Sequence, residues 1–571
     1  MGKIFTIHPY LPSEIGTFSD VHGDIDTLIT TLRDVLGVIR KKSGHNPGGK
    51  KQRDPELDTF LNLDLNDPIN QTLYSHTLNY EWVGGNKVVV IVGDILDATR
   101  LDRGLIPDVI NLDDTPYKYT GTETFPHYYP QIEYKILLFI NGINADAKSL
   151  EERTGVTQGK IVKVSGNHEF MNMFADSPIS QKILPMKRTA PYMFPIDLEN
   201  SINKIKKLPA KPYMTVGNVE YTRFNFFEIG NPGFDALKID FVLSYKIGNY
   251  IFVHGQLTSD LDWDDHNSIT EIITKIPNNS DPDLQKFLDL NKDTLDKINL
   301  RLNNGSGPLW ERVWGSPIGT GNEGPNNRIG QKSGLLKANS FSVDDPFCDE
   351  VSKIIVQFCS TLPDTDPHCT ATNPANSKGV NVVLGHCIQS ESTIRNQPSM
   401  TFIDTIGSEY VDQEKTQTIL GSHIYYGPPN MINQRTGAHY NPTIFGITTD
   451  CIGTNHNHIY RVDVGTSRGF DSSIDVDYVN STQPTDKINA LNTLFFSRTP
   501  QALRVNLSTG NLAITRSKLV NTIHNVPRPD LNTVIATLNT QGPQGIVNIL
   551  DTYDKKYRKY KAKYLVKNNQ N

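Results

Sequence analysis

Residues that can bind metal ions are concentrated in five short patches, each at the end of an apolar run. The patches are SDVHGD, VGDILD, SGNHEF, VHGQ and LGHC, with the polar residues Asp20, His22, Asp94, Asp97, Asn167, His168, His254 and His386. Carboxylate, amide and imidazole groups together favour Mn, Fe, Zn or Ni over Mg or Ca, which prefer oxygen ligands. The residue types therefore predict a metal-dependent reaction.

The ligand set is large enough for two ions. A carboxylate that bridges two ions can hold them about 3.5–4 Å apart, the separation found in two-metal hydrolytic sites. We predict six ligands, with Asp94 as the bridge, Asp20 and His22 on the first ion, and Asn167, His254 and His386 on the second. Because such a pair activates water and binds phosphate oxygens, the expected reaction is phosphate-ester hydrolysis.

A second pair of residues is predicted to move the proton. The leaving oxygen of a phosphate ester needs a proton, and His168, next to the ligand Asn167, is the candidate general acid. Asp97 follows Asp94 in the same patch and is expected to orient the His168 imidazole.

The apolar runs predict the elements that position these residues. KVVVIV (87–92), KIVKV (160–164), YIFV (250–253) and VNVVL (380–384) are typical of buried strands, and a shorter run at 16–18 precedes the first patch. Ligands at the carboxyl ends of strands mark the active-site edge of an α/β sheet. Helical spacing predicts helices at 24–39, 131–152 and 282–302, which gives right-handed βαβ units.

The patches, in this order, resemble the metallophosphoesterases of the calcineurin-like superfamily, most closely the Ser/Thr protein phosphatase type. The family pattern GDxHG, GDxVDRG, GNHE, HG and GH corresponds to SDVHG, GDILDATR, GNHE, VHG and LGHC. YRVDVG (460–465) and RTPQALRV (498–505) resemble the closing strands of bacterial-type members. The resemblance implies an α/β fold, a metallophosphoesterase-type β-sandwich flanked by helices with large insertions. It also implies two divalent metal ions, with Mn favoured.

The chain departs from the family at two positions. An Arg that grips the substrate phosphate usually follows the second Asp of GDxVDRG, whereas this chain has Ala98. Arg100 and Arg103, in the same loop, are the candidate replacements, and Arg312 in PLWER (308–312) resembles a second phosphate-binding Arg. Ser19 replaces the first Gly, as in relatives that hydrolyse dinucleotide polyphosphates.

The motifs place a metallophosphoesterase domain at 1–510, with insertions at about 41–86, 101–130, 172–245 and 258–378. Residues 511–571 form a predicted C-terminal extension that ends in the basic Tyr/Lys-rich helix YDKKYRKYKAKYLVK (553–567). That helix resembles a tail found on proteins of large DNA viruses, which implies a giant-virus origin and packaging in the virion. It is either a solvated helix or a docking element for a virion or protein partner or for an anionic surface.

Composition limits the class of protein. A net charge of −6 argues against general nucleic-acid binding. The sequence has neither the roughly 20-residue apolar stretch of a membrane span nor a signal-peptide core. Five Cys residues without tight spacing favour a reduced environment. We therefore expect an intracellular, cytoplasmic protein or one packaged in a virion, not a secreted protein.

Three functions remain open. The first is a protein phosphatase acting on phosphoserine, phosphothreonine or phosphotyrosine, or on small phosphoesters. The second is a nucleotide or dinucleotide polyphosphate hydrolase, indicated by Ser19 and Ala98. The third is a structural virion protein on a phosphatase-like fold. Alone, GNHE and GDxxD could be turns with a helix cap, GH could be a core histidine, and DxHG could occur by chance. Five motifs in one order nevertheless favour an enzyme.

Overall fold

The structure is a computed structural model, and it describes part of the chain. The described residues are 5–42, 63–67, 69–70, 78–97, 131–174, 212–255, 265–302, 309, 381–386, 400–401, 445–449, 457–462, 501–508 and 511–516. No helix within these ranges combines the length and apolarity needed to cross a bilayer. The predicted tail helix at 553–567 lies outside the described residues.

The strands form two large sheets and two small ones. In chain order they are β1 (Thr6–Ile7), β2 (Glu14–Phe18), β3 (Ile39–Lys41), β4 (Tyr80–Trp82), β5 (Val88–Val92), β6 (Ile161–Val164), β7 (Met214–Val216), β8 (Val219–Tyr221), β9 (Phe241–Val242), β10 (Ser244–Ile247), β11 (Tyr250–Val253), β12 (Asn381–Leu384), β13 (Met400–Thr401), β14 (Phe445–Thr449), β15 (Asn457–Arg461), β16 (Gln501–Asn506) and β17 (Asn511–Arg516). The helices are α1 (Ile25–Thr30), α2 (Ile132–Thr154), α3 (Asn167–Met173), α4 (Arg223–Phe226), α5 (Pro232–Leu237), α6 (Asp265–Lys275) and α7 (Leu284–Leu302).

One large sheet has the order β17-β16-β2-β5-β6-β9, and β2, β5, β6 and β9 run parallel to one another. The other has the order β1-β10-β11-β12-β15-β14-β13, in which β11, β12 and β15 are parallel. The pairs β3–β4 and β7–β8 are antiparallel. Parallel neighbours bring successive carboxyl ends to one edge of each sheet.

The two large sheets share one hydrophobic core. All five residues of β5 are fully buried, as expected for a β-branched run covered on both faces. The same core contains Phe252 of β11, Val383 of β12 and Ile136 of α2. The predicted α/β fold, with parallel and antiparallel sheets flanked by helices, is confirmed.

The strands that precede the candidate site residues were predicted correctly from the sequence. The apolar runs form β5, β6, β11 and β12, and the weak run at 16–18 belongs to β2. The predicted closing segments overlap the end of β15 and most of β16. The helices predicted at 131–152 and 282–302 are α2 and α7. Strand β17 lies within the predicted C-terminal extension and pairs with β16, so these residues extend the sheet.

The helix predicted at 24–39 is shorter, so its predicted C-terminal end is wrong. Asp24 caps α1 by accepting a hydrogen bond from Thr27 N, but α1 passes into a π-helical turn at Thr31–Val35. Gly37 then adopts a left-handed conformation at φ +62°, and the chain continues into β3. A left-handed glycine commonly terminates a helix. Gly37 therefore marks the end of this helical segment, although apolar residues continue at helical spacing to residue 39.

A buried ion pair joins the C-terminal strands to the N-terminal part of the sheet. Arg504 of β16 donates to Glu14 of β2 through Nε (3.1 Å) and Nη2 (2.8 Å), and the two side chains are 10% and 7% exposed. We expect Arg504→Met to lower the free energy of unfolding by about 2–3 kcal/mol, since Glu14 would lose its main partner in a buried position. Urea denaturation measures this loss.

Arg40 provides the matched control for Arg504. Its guanidinium also makes two hydrogen bonds to one carboxylate, that of Glu81, but its side chain is 58% exposed. Arg40→Met should therefore cost less than about 1 kcal/mol. Equal losses for the two variants would show that burial of the Glu14–Arg504 pair has no special effect.

Candidate metal centre

The predicted ligands follow strands that end at one edge of each large sheet. Asp20 follows β2, Asp94 follows β5, and Asn167 begins α3 just after β6. In the other sheet, His254 follows β11 and His386 follows β12. The ligands therefore come from successive parallel strands, the arrangement that α/β sheets use to assemble an active site.

Backbone hydrogen bonds hold the ligand loops against one another. Asp20 N donates to Gly93 O at 3.0 Å, and His22 N donates to Asp94 O at 2.9 Å. The second sheet is joined to the first through His386 N, which donates to Asp20 Oδ2 at 3.0 Å. The side chain of Ser19 also donates to Asp20 Oδ2.

Asp94 lies at the centre of the cluster. Its Oδ2 is 3.3 Å from Nε2 of His254, 3.6 Å from Nε2 of His22 and 3.7 Å from Nε2 of His168. Two groups of potential ligand atoms, each within 4.8 Å of one another, share this carboxylate: His22, Asp94 and His168, and Asp94, His254 and His386. A carboxylate common to two groups is the arrangement needed for a bridging ligand.

The other predicted ligands complete the same cluster. Asn167 Oδ1 is 3.1 Å and His386 Nδ1 is 3.2 Å from His254 Nε2. Asp20 Oδ1 is 3.9 Å from His22 Nε2. All six predicted ligands are at most 7% exposed. The structure therefore brings together residues that are separated by up to 366 positions in sequence.

Two histidines have the ring orientation that metal binding requires. His22 Nδ1 is 3.0 Å from Leu96 O, and His254 Nδ1 is 2.8 Å from Val92 O. Because a carbonyl oxygen can only accept, each Nδ1 carries the proton, and each Nε2 faces Asp94. Metal-binding histidines are commonly oriented by such a bond from the other ring nitrogen.

Several site residues have a backbone conformation that most side chains avoid. Nine non-glycine residues of the described chain have positive φ, and five of them are Asp20, His22, Asp94, Asp97 and His386, at +43° to +65°. Such conformations are costly outside glycine and cluster at functional sites. The strained backbone at these residues therefore costs free energy, which the surrounding fold must offset.

The electrostatics of the cluster favour positive charge beside Asp94. Burial would raise the pKa of Asp94, but the nearby imidazoles of His168 and His254 outweigh burial and hold this pKa well below its usual range. Burial would lower the pKa of His254, but the Asp94 carboxylate raises it to about 10. The ligand set and its charge thus fit a pair of divalent cations.

The predicted proton-transfer pair is also adjacent to this cluster. His168 Nδ1 is 2.5 Å from Asp97 Oδ2, and His168 N donates to Asp94 Oδ1 at 3.1 Å. The ring of His168 packs edge-on against that of His22, with centroids 4.7 Å apart. The carboxylate holds one ring nitrogen, so Nε2 is directed to the Asp94 side of the cluster.

Glu169, for which the sequence predicted no role, organises the loop that carries Asp94. Its Oε1 accepts from Ile95 N (2.8 Å) and Leu96 N (3.0 Å), and its Oε2 accepts from Asp94 N (2.9 Å) and Gly166 N (2.7 Å). The bond to Gly166 is the local part of a capping box, which the GNHE spacing could have indicated. The other three contacts join segments far apart in sequence.

Replacing Glu169 with Ala should destabilise the protein strongly. Four buried N–H groups would lose their acceptor, so we expect the free energy of unfolding to fall by about 3 kcal/mol or more. Urea denaturation of the metal-free protein measures the loss. Glu152→Ala, at the exposed end of α2, is the control and should change stability by less than about 0.5 kcal/mol. Similar losses for both variants would contradict the assigned role.

The predicted phosphate-binding residues Arg100, Arg103 and Arg312 lie outside the described residues. A different arginine is found near the site: Arg223 Nη2 donates to Asp97 Oδ1 at 2.9 Å. No motif in the sequence indicated this contact, since Arg223 belongs to a segment predicted only as an insertion.

No protein-family model matches the chain, and no curated protein matches it. Among solved structures, it is similar to a cold-active protein tyrosine phosphatase, at 15% identity, 68% coverage of this chain, 67% of the other and a TM-score of 0.29. The cold-active protein-tyrosine phosphatase of a psychrophilic Shewanella sp. gives 14% identity, 71% and 70% coverage and a TM-score of 0.30. Similarity at this level does not assign the chain to a family.

Proposed function

We propose that this protein is a dinuclear metal-dependent phosphatase that hydrolyses phosphomonoesters, with phosphorylated Ser, Thr or Tyr side chains of proteins as its substrate class. The observation that carries the proposal is the pair of buried ligand groups that share Asp94. A protein that served only as a scaffold would need neither six buried polar ligands nor the strained backbone at several of them.

The residues divide into two sets of ligands around Asp94. Asp20 and His22 would hold one ion with Asp94, and Asn167, His254 and His386 would hold the other. When bound, two divalent ions lower the pKa of a shared water and offset charge on the phosphate oxygens. The leading candidate is Mn, with Fe, Zn and Ni as alternatives, because the ligands are mixed oxygen and nitrogen.

His168 would act as the general acid. As water attacks phosphorus, a P–O bond forms on one side and the bond to the leaving oxygen breaks on the other. His168 Nε2 gives its proton to that leaving oxygen while Nδ1 keeps its bond to Asp97. Burial would raise the pKa of Asp97, but His168 and Arg223 hold it below its usual range, so Asp97 remains a carboxylate.

The test is a substrate panel with the full chain reconstituted with Mn. We expect hydrolysis of p-nitrophenyl phosphate and of phosphoserine, phosphothreonine or phosphotyrosine peptides, lost on chelation and restored by Mn. A preference for a dinucleotide polyphosphate over every phosphopeptide would instead identify a nucleotide hydrolase. Absence of hydrolysis of all these compounds would exclude the proposed function.

A further inference from the structure

Arg223 is a buried arginine that contacts the carboxylate partner of the proposed acid. It begins α4, after the Thr222 cap, and its side chain is 1% exposed. Its guanidinium donates through Nη2 to Asp97 Oδ1 (2.9 Å) and through Nη1 to Asn172 Oδ1 (2.6 Å). The Arg223 cation is therefore directly behind the Asp97–His168 pair.

Both carboxylate oxygens of Asp97 have hydrogen-bond partners. Oδ2 faces His168 Nδ1, and Oδ1 accepts from Arg223 and from Asn172 Nδ2, the latter at 3.0 Å. Asn172 Nδ2 also donates to His168 O at 2.8 Å. A carboxylate bonded at both oxygens cannot rotate freely, so its direction toward the imidazole is fixed.

Arg223 is itself held in place from the other side. Glu133 of α2 accepts from Nε at 2.9 Å and from Nη2 at 2.7 Å, and Tyr213 donates its hydroxyl to Glu133 Oε2 at 3.1 Å. The Arg223 guanidinium lies 4.5 Å from the ring centroid of Phe227. Glu133 alone would neutralise Arg223, so charge balance does not require the additional contact with Asp97.

We propose that Arg223 is a positioning residue, which holds Asp97 and, through it, the His168 imidazole in the orientation for proton donation. This inference rests on the proposed function. Arg223 comes from the segment predicted as the insertion at 172–245. The inserted segment thus supports the catalytic pair, in addition to any contact it makes with substrate.

The test compares two substrates that differ in their need for a proton. Phenolate is a poorer leaving group than p-nitrophenolate, so loss of general-acid catalysis slows phenyl phosphate more than p-nitrophenyl phosphate. In the Mn-loaded full chain, we expect Arg223→Met to lower kcat for phenyl phosphate by about 10- to 100-fold, with a markedly smaller loss for p-nitrophenyl phosphate. Equal losses for the two substrates would overturn the proposal.

Arg33 is the matched control because it is another buried arginine with a carboxylate partner. It donates to Asp34 through Nε and Nη2, each at 2.7 Å, and to the Tyr80 hydroxyl at 3.1 Å. Arg33→Met should leave the ratio of the two kcat values unchanged. Should Arg223→Met not fold, Arg223→Lys replaces it, since an ammonium group keeps the charge but cannot form the same fork of hydrogen bonds.

A measurement without turnover separates this inference from the proposed function. If the wild-type protein hydrolyses neither ester, the proposed function fails, but the position of His168 can still be read by NMR. In the Zn-loaded, histidine-labelled protein, the Nδ1 proton signal assigned with His168→Asn should be lost or shifted in Arg223→Met and kept in Arg33→Met. An unchanged signal in both would overturn the positioning role.

Discussion

Replacing Asp94 with Asn should reduce bound metal from about two ions to fewer than one per chain and lower phosphatase activity on the order of 10³-fold. Asp94 Oδ2 lies within 3.7 Å of Nε2 of three histidines. The negative charge of this carboxylate would therefore stabilise both proposed ions. An amide has nearly the same shape but no charge. The loss should therefore come from metal binding, with the fold retained.

Asp240 offers a closely matched control for this substitution. It also has positive φ, +53° against +54° for Asp94, and its side chain contacts Lys160 and Asn144 outside the metal cluster. Asp240→Asn should keep the metals and the activity. Metal content by mass spectrometry and hydrolysis of p-nitrophenyl phosphate measure both effects, and an Asp94→Asn protein with two ions and full activity would refute the bridging role.

Replacing His168 with Asn should lower kcat for phenyl phosphate by about 10²- to 10⁴-fold, the usual contribution of a general acid. The loss for p-nitrophenyl phosphate should be smaller, because that leaving group departs without full protonation. Both ions should stay bound, because His168 is paired with Asp97 and is not one of the six proposed ligands. This pattern, slow turnover with metals retained, distinguishes an acid from a ligand.

The metal measurement is decisive for His168, since its Nε2 is also within 4.8 Å of ligand atoms of His22 and Asp94. Loss of an ion from His168→Asn would make it a ligand and remove it as the acid. His8→Asn is the control. His8 is also buried, but its Nδ1 is 2.6 Å from the Tyr245 hydroxyl, away from the cluster. The His8→Asn variant should keep both metal ions and leave the ratio of kcat for phenyl phosphate to kcat for p-nitrophenyl phosphate unchanged.

The residues of the candidate site could be predicted because each signal was local. An apolar run predicts a strand, and polar residues just after it must emerge at the strand's carboxyl end. Asp94 after β5 and Asn167 after its parallel neighbour β6 are examples. Once the strands are parallel neighbours, their ends converge, and no long-range contact has to be known in advance.

The supporting residues could not be predicted, because their partners are distant in sequence. Arg223 and Asp97 are 126 positions apart, and Glu169 bonds to a loop more than 70 positions away. Periodicity carries no information on such contacts. The end of the first helix was missed for a different reason: Gly37 adopts a left-handed conformation that overrides the apolar spacing.

The most direct test of the account is anomalous diffraction from crystals of the Mn-reconstituted protein, measured above and below the Mn absorption edge. We predict two anomalous peaks, about 3.5–4 Å apart, on either side of the Asp94 carboxylate. One peak should be bounded by Asp20 and His22, and the other by Asn167, His254 and His386. Absence of Mn from this cluster in crystals grown and soaked with excess Mn would contradict the dinuclear centre on which the proposed function depends.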